Sequence, residues 1–344
     1  MNSVRTVNEG VLTNRLWGKV WILLLLFIGV LFSALFSVCE GLGNSSISAI
    51  LAAALHPSGS QLGTVLQEVR IPRALIGVIV GACLGLSGVL LQTMTRNRLA
   101  DVGIFGLNAG ASFAVVLGIS LFGMTSVSAL TWMGLLGSLA AGACVYLMAV
   151  SAPGRASPTT ITLAGAALTM LLSSLTHALL VLDQPMLSQV LFWISGSLAG
   201  RSMHALLVTL PFLAAGALIA VGMVRALALM EFEDDVAEGL GQRVLWMRLA
   251  AGLAVILLAG GCVALAGPVG FLGLMTPHLG RWLVGSSMPW LLSYSACLGA
   301  LVLVWADVAA RTVLQPSELP IGVLTALIGA PFLIHVARRG GIRS

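Results

Sequence analysis

Few residues in this sequence could do chemistry. Its 344 positions hold 17 Lys and Arg, 12 Asp and Glu, and 5 His. A catalytic dyad or a metal centre needs such groups at convergent spacing, and here they are scattered. Cys39, Cys83, Cys144, Cys262 and Cys297 lie in apolar runs without a CxxC or Cys/His pattern, as small packing residues do rather than disulfides or metal ligands. His278 has no second ligand at helical spacing, so packing or hydrogen bonding is its expected role. A phosphate-binding loop requires a lysine after glycine. The only lysine, Lys19, precedes Val20 at the head of an apolar run, so any ATPase must be a separate chain.

The energy source can be argued from the carboxylates. A carrier driven by an ion gradient keeps acidic side chains inside its spans, where a charge is costly and retained for function. Asp307 is the one candidate within a span here, near its outer end. That argues against a proton relay, although an ion-coupled secondary transporter stays as the alternative class.

These polar residues must be carried by membrane helices. Hydrophobic residues make up 58% of the chain and charged residues 8%, against roughly a quarter charged in soluble domains. Runs of about 20 apolar residues, without period-2 alternation, predict an all-α integral membrane bundle. Spans are expected near 17–39, 74–95, 103–121, 129–150, 159–182, 204–224, 249–267, 270–284, 290–308 and 321–337. The eighth is short and contains Pro277. Loop charges set orientation: with both termini in the cytoplasm, thirteen of the seventeen basic residues fall inside, and only Arg70, Arg73, Arg201 and Arg311 fall outside. Ten spans divide as two five-helix halves of inverted orientation, a plan common in transporters. Small-residue pairs such as Gly81/Gly85, Gly106/Gly110 and Gly196/Gly200 predict close helix packing.

Two hydrophilic segments stand out. An outer loop, 40–73, ends in Glu68-Val69-Arg70-Ile71-Pro72-Arg73. An inner segment, 225–248, is rich in acidic residues and has the length of two short helices broken by Gly239-Leu240-Gly241. The outer arginines suit an electropositive rim for an acidic partner, and the inner segment suits docking of a cytoplasmic one.

Four stretches carry a resemblance that covers nearly the whole chain: Arg70-Ile71-Pro72-Arg73; Gln92 through Arg96-Asn97-Arg98-Leu99-Ala100-Asp101 to Gly106-Leu107-Asn108-Ala109-Gly110-Ala111; Gly267-Pro268-Val269-Gly270-Phe271-Leu272-Gly273-Leu274 with Pro277-His278; and Ala306-Asp307 to Arg311, then Glu318-Leu319-Pro320-Ile321-Gly322 to Gly329-Ala330-Pro331. In this order they resemble the permease subunits of binding-protein-dependent ABC importers for iron–siderophores, haem and cobalamin. Catecholate-siderophore permeases look most similar.

The resemblance implies a single permease domain over 1–344 with the type II importer fold. It implies a homo- or heterodimer with a second permease, two cytoplasmic ATPase subunits, an extracytoplasmic binding protein, and placement in the bacterial cytoplasmic membrane. The permease would hold no cofactor, since ATP binds the partner. Arg70, Arg73 and Arg311 would dock the binding protein. Glu233, Asp234, Asp235, Glu238, Leu240 and Gly241, within roughly 227–243, would dock the ATPase. Thr162, Thr169, Ser173 and His177 on the fifth span would line the path. Two departures stand out: Arg98 and Val102 replace family prolines, and Glu233 stands where glycine is common.

Overall fold

The computed structural model describes residues 16–40, 61–151, 158–182, 190, 193–230, 234–239, 241–314 and 317–338. Among them every regular element is a helix. α1 is Leu16–Cys39, α2 is Gln61–Val65, and α3 is Ile71–Thr95, joined to α2 by a π-helical turn, Leu66–Arg70. A 3-10 turn, Val102–Phe105, precedes α4 (Leu107–Phe122), followed by α5 (Val127–Ser151) and α6 (Pro158–Leu182). The second half holds α7 (Met203–Gly222), the short α8 (Val224–Met230) and α9 (Asp234–Gly239), then α10 (Val244–Ala266), α11 (Leu272–Val284), α12 (Met288–Thr312) and α13 (Ile321–Arg338).

Seven of these helices are long and apolar enough to cross a membrane, α4 and α13 are shorter apolar helices at two more of the ten expected spans, and the 13-residue α11 lies at the expected eighth. The helix leading into α3 begins at Gln61, so the last part of the expected outer loop is helical. α12 runs four residues past its expected end to Thr312. That extension puts Asp307 and Arg311 on one helix, a single turn apart.

Burial separates the helices into centre and periphery. In α3 and α10 the apolar windows are 72% buried, against 17% in α1 and 22% in α6. The peripheral helices expose Leu, Phe and Trp side chains to lipid, while α3 and α10, the second helix of each five-helix half, form the core. Close approach depends on glycine: a methyl group on Gly81, Gly85 or Gly88 would overlap backbone of Gly299, Ser295 or Gly273 respectively. Gly110 packs likewise against Gly137. Gly106, Gly196 and Gly200 differ from expectation. They adopt positive φ, at 74°, 75° and 67°, and turn the chain rather than seat one helix on another.

Among the described residues two with side chains also have positive φ, Arg96 at 49° and Phe271 at 65°. Such a conformation costs a non-glycine residue about 1–2 kcal/mol. Arg96 closes α3, and Phe271 opens α11.

Candidate functional site

The polar stripe of α6 forms one wall of a cavity. Thr169, Ser173 and His177 recur every four residues and so share a helix face. Two of them are anchored locally: the Thr169 hydroxyl donates to the Gly165 carbonyl at 2.7 Å, and His177 Nδ1 lies 2.7 Å from the Ser173 carbonyl. A carbonyl can only accept, so Nδ1 carries the proton and Nε2 is left as the free ring nitrogen. Opposite stand Gly103, Asn108, Ala109 and Ser112, with Ile194 and Pro268 closing the end. The volume of this open cavity is about 530 Å³.

Among the described residues the lining carries hydroxyls, one carboxamide and one imidazole, and no Asp, Glu, Lys or Arg. Asn108 Oδ1 is buried without a hydrogen-bond partner among the described residues. Such a wall offers neutral polar contacts to a bulky solute without a charge to trap it. Thr162 lies on α6 seven residues before Thr169 and outside the lining. Asn108, Ser112, Thr176 and Pro268 belong to the lining but were not expected. Thr176 could have been found, seven residues after Thr169.

A second cavity of about 700 Å³ shares Ile194 and Pro268 with the first. Its wall is apolar, with Phe271, Gly322, Pro331 and Ile334 among its residues. The two cavities therefore meet at the segment before α11. Pro331 lies inside α13 on this wall.

The three arginines expected on a receiving rim are placed unequally. Arg70 is partly exposed, whereas Arg73 and Arg311 are only 6% and 8% exposed. Arg73 Nε donates to both Asp307 oxygens at 3.0 and 3.1 Å. Its NH1 and NH2 grip Glu318 Oε1 and Oε2 at 3.0 and 2.9 Å. Arg311 NH2 lies 3.2 Å from Asp307 Oδ2 and donates to Ser37 Oγ of α1 at 2.7 Å. Burial of a guanidinium requires paired charge and satisfied donors, and Asp307 and Glu318 supply both. The Arg73 guanidinium in turn holds the Glu318 carboxyl below its ordinary range. The spacing of Asp307 and Arg311, one helical turn, was the sequence signal for part of this cluster.

At the opposite end of the bundle, α8 and α9 form the expected pair of short helices. The first is described to Met230 and the second from Asp234 to Gly239, and Gly241 takes φ 80° ahead of α10. Leu227, Met230 and Ala237 are buried against the bundle. Glu233 and Leu240 lie outside the described residues. For Asp234, Asp235 and Glu238 the helical backbone of α9 is described. His278, buried at 8% exposure, packs edge-on against Trp282 and Phe332 with ring centroids 4.9 and 5.7 Å apart.

The profile of the FecCD transport family matches residues 29–339, nine-tenths of the chain. The chain belongs to the FecCD transport family. Among its relatives is the ferric enterobactin transport system permease protein FepD of Escherichia coli (strain K12), 41% identical over 92% of this chain and 94% of the relative. The Bacillus subtilis (strain 168) protein named "Probable siderophore transport system permease protein YfiZ" is 40% identical, over 93% of this chain and 96% of its own. A solved inward-facing ABC transporter of the metal-chelate type superposes with a TM-score of 0.81 at 30% identity, covering 93% of this chain and 99% of that one. FecCD membership makes the chain a multi-pass bacterial membrane permease, with the bundle above as its transport body.

Proposed function

We propose that this FecCD permease is the membrane subunit of an ATP-driven ABC importer that carries a ferric siderophore across the cytoplasmic membrane. The observation that carries the cargo class is the 41% identity to a ferric enterobactin permease across nearly the full length of both chains. The cavity supports the path: about 530 Å³ of neutral, mostly apolar wall suits a large chelate that must enter and leave without tight binding.

Two permeases side by side would place the exposed face of α6 toward the path between them. An ATPase pair docked on α8 and α9 would drive alternation, and a binding protein would deliver cargo at the Arg70 end. Thirteen of seventeen basic residues, assigned from the sequence to the inner loops and termini, support a cytoplasmic placement of both termini. The Asp307 carboxylate is held by two arginines, which leaves it poorly suited to a proton relay. A citrate chelate is a second cargo, favoured by 39% identity to a Bacillus subtilis (strain 168) Fe(3+)-citrate import system permease protein, YfmD.

The test is reconstitution of the permease with its companion permease, ATPase and binding protein in proteoliposomes. ATP-dependent uptake of ferric catecholate above ferric citrate, haem and cobalamin is expected. Uptake driven by a proton or sodium gradient alone would sink the importer assignment. Preference for ferric citrate would revise the cargo.

A further inference from the structure

Arg96 occupies a position where a helix end ordinarily carries glycine. It closes α3 at φ 49° and ψ 29°. Its own N–H and that of Asn97 bond back to the Thr93 and Gln92 carbonyls at 3.3 and 3.2 Å. Glycine adopts this conformation freely, so an arginine kept there calls for a compensating role. The side chain shows one: Nε donates to the Met230 carbonyl at 3.0 Å. Met230 is the last residue of α8, where the final carbonyls lack intrahelical partners.

Beyond Arg96 the loop is tied at each step. Leu99 N–H donates to Asn97 Oδ1 at 2.9 Å, and Ala100 N–H to the Asn97 carbonyl at 3.1 Å. The Asp101 carboxylate then accepts from the Gly103 N–H at 3.5 Å, and its Oδ1 sits against Gly273, in the first turn of the helix that Phe271 opens. Phe271 is the second left-handed residue and lines the second cavity, beside Pro268, which lines both. Gly103 lines the first cavity, and Gly106 packs directly against Leu168 and Thr169 of α6. A braced loop thus touches α8 at one end and both cavity walls at the other.

We propose that Arg96 and Asp101 are positioning residues that carry displacement of the 224–239 segment to the cavity wall. This rests on the ATP-coupled cycle proposed above. Arg96 holds the end of α8, and Asp101 passes the movement to the Pro268–Phe271 segment and to the 3-10 turn before α4. Neither contacts cargo. Both act through the loop between them.

The test uses the whole transporter in proteoliposomes, with cargo moved and ATP hydrolysed measured in the same vesicles. Arg96→Gly comes first, because glycine suits the left-handed backbone. Thermal stability should hold or rise while cargo moved per ATP falls about fivefold or more. Arg96→Lys, which keeps a cation without the planar fork, should fall between. In series, Asp101→Ala added to Arg96→Gly lowers the ratio no further than the worse single variant. A wild-type ratio in Arg96→Gly overturns the proposal, as do losses that multiply in the double variant. If Asp101→Ala fails to insert, Arg96→Gly alone decides. Wild-type vesicles that concentrate cargo without the ATPase would instead overturn the ATP-coupled cycle.

Discussion

Arg73 and Asp307, 234 positions apart, meet with Nε between the two carboxylate oxygens at 3.0 and 3.1 Å. The pair joins the first turn of α3 to the last turns of α12, with Glu318 and Arg311 completing a cluster of two cations and two anions that Arg70 flanks. Removing one member leaves a buried charge uncompensated, which costs about 3–5 kcal/mol. Asp307→Ala should therefore lower the melting temperature of the detergent-solubilised permease sharply. The double variant Arg73→Met/Asp307→Leu should recover much of that loss. Additive losses in the double variant would show that the two charges do not act as a pair.

Glu318 gives the same cluster a pH dependence. Its folded pKa is depressed, chiefly by the hydrogen bonds from Arg73. A depressed carboxylate contributes stability that is full above its unfolded value near 4.5 and is lost as pH falls through the folded value. The stability difference between wild type and Glu318→Gln should thus shrink on acidification below that range. A difference that stays constant with pH would rule out the charge as its source.

Gly85 lies against backbone of α12, where a methyl group would overlap the Ser295 carbonyl. Gly85→Ala must push two core helices apart, at a cost of about 1–3 kcal/mol. Gly222 meets nothing within 4 Å, and Gly222→Ala should be neutral or stabilising by up to about 1 kcal/mol. Thermal unfolding of both variants checks the contrast. Equal effects would mean that the α3–α12 approach is looser than described.

Ser173 faces the 530 Å³ cavity from the middle of the α6 stripe. Ser173→Trp should block uptake by filling that volume while leaving melting temperature and basal ATPase activity of the complex near wild type. Unimpaired uptake would move the path elsewhere.

Reversal of Asp234 and Asp235 to lysine on α9 should lower cargo-stimulated ATPase activity, because an acidic docking segment suits a partner with a basic groove. Retained stimulation would place docking on another surface.

How much was legible without the fold differs from element to element. Span positions follow from hydropathy, and the helices start or end within a few residues of expectation. The exceptions have physical reasons. Residues 61–70 are polar enough to read as loop, yet continue the helix into α3. α12 extends past its apolar core because Asp307 and Arg311, costly in lipid when alone, neutralise each other. Thr169, Ser173 and His177 are legible as one face through their spacing. Asn108 and Pro268 are not, because nothing local marks them as facing α6.

The sequence by itself determined that the chain is a membrane bundle and where its spans fall, because transfer into lipid is a sum over neighbouring residues. Its motifs also carried the resemblance to a permease family. Only the tertiary structure decided what the polar exceptions do. It turned Arg73 and Arg311 inward onto Asp307 and Glu318, gathered the α6 stripe into a cavity wall, and set Arg96 on the end of α8. Those outcomes depend on which distant groups meet, and a buried charge or an unused carbonyl is satisfied only by geometry.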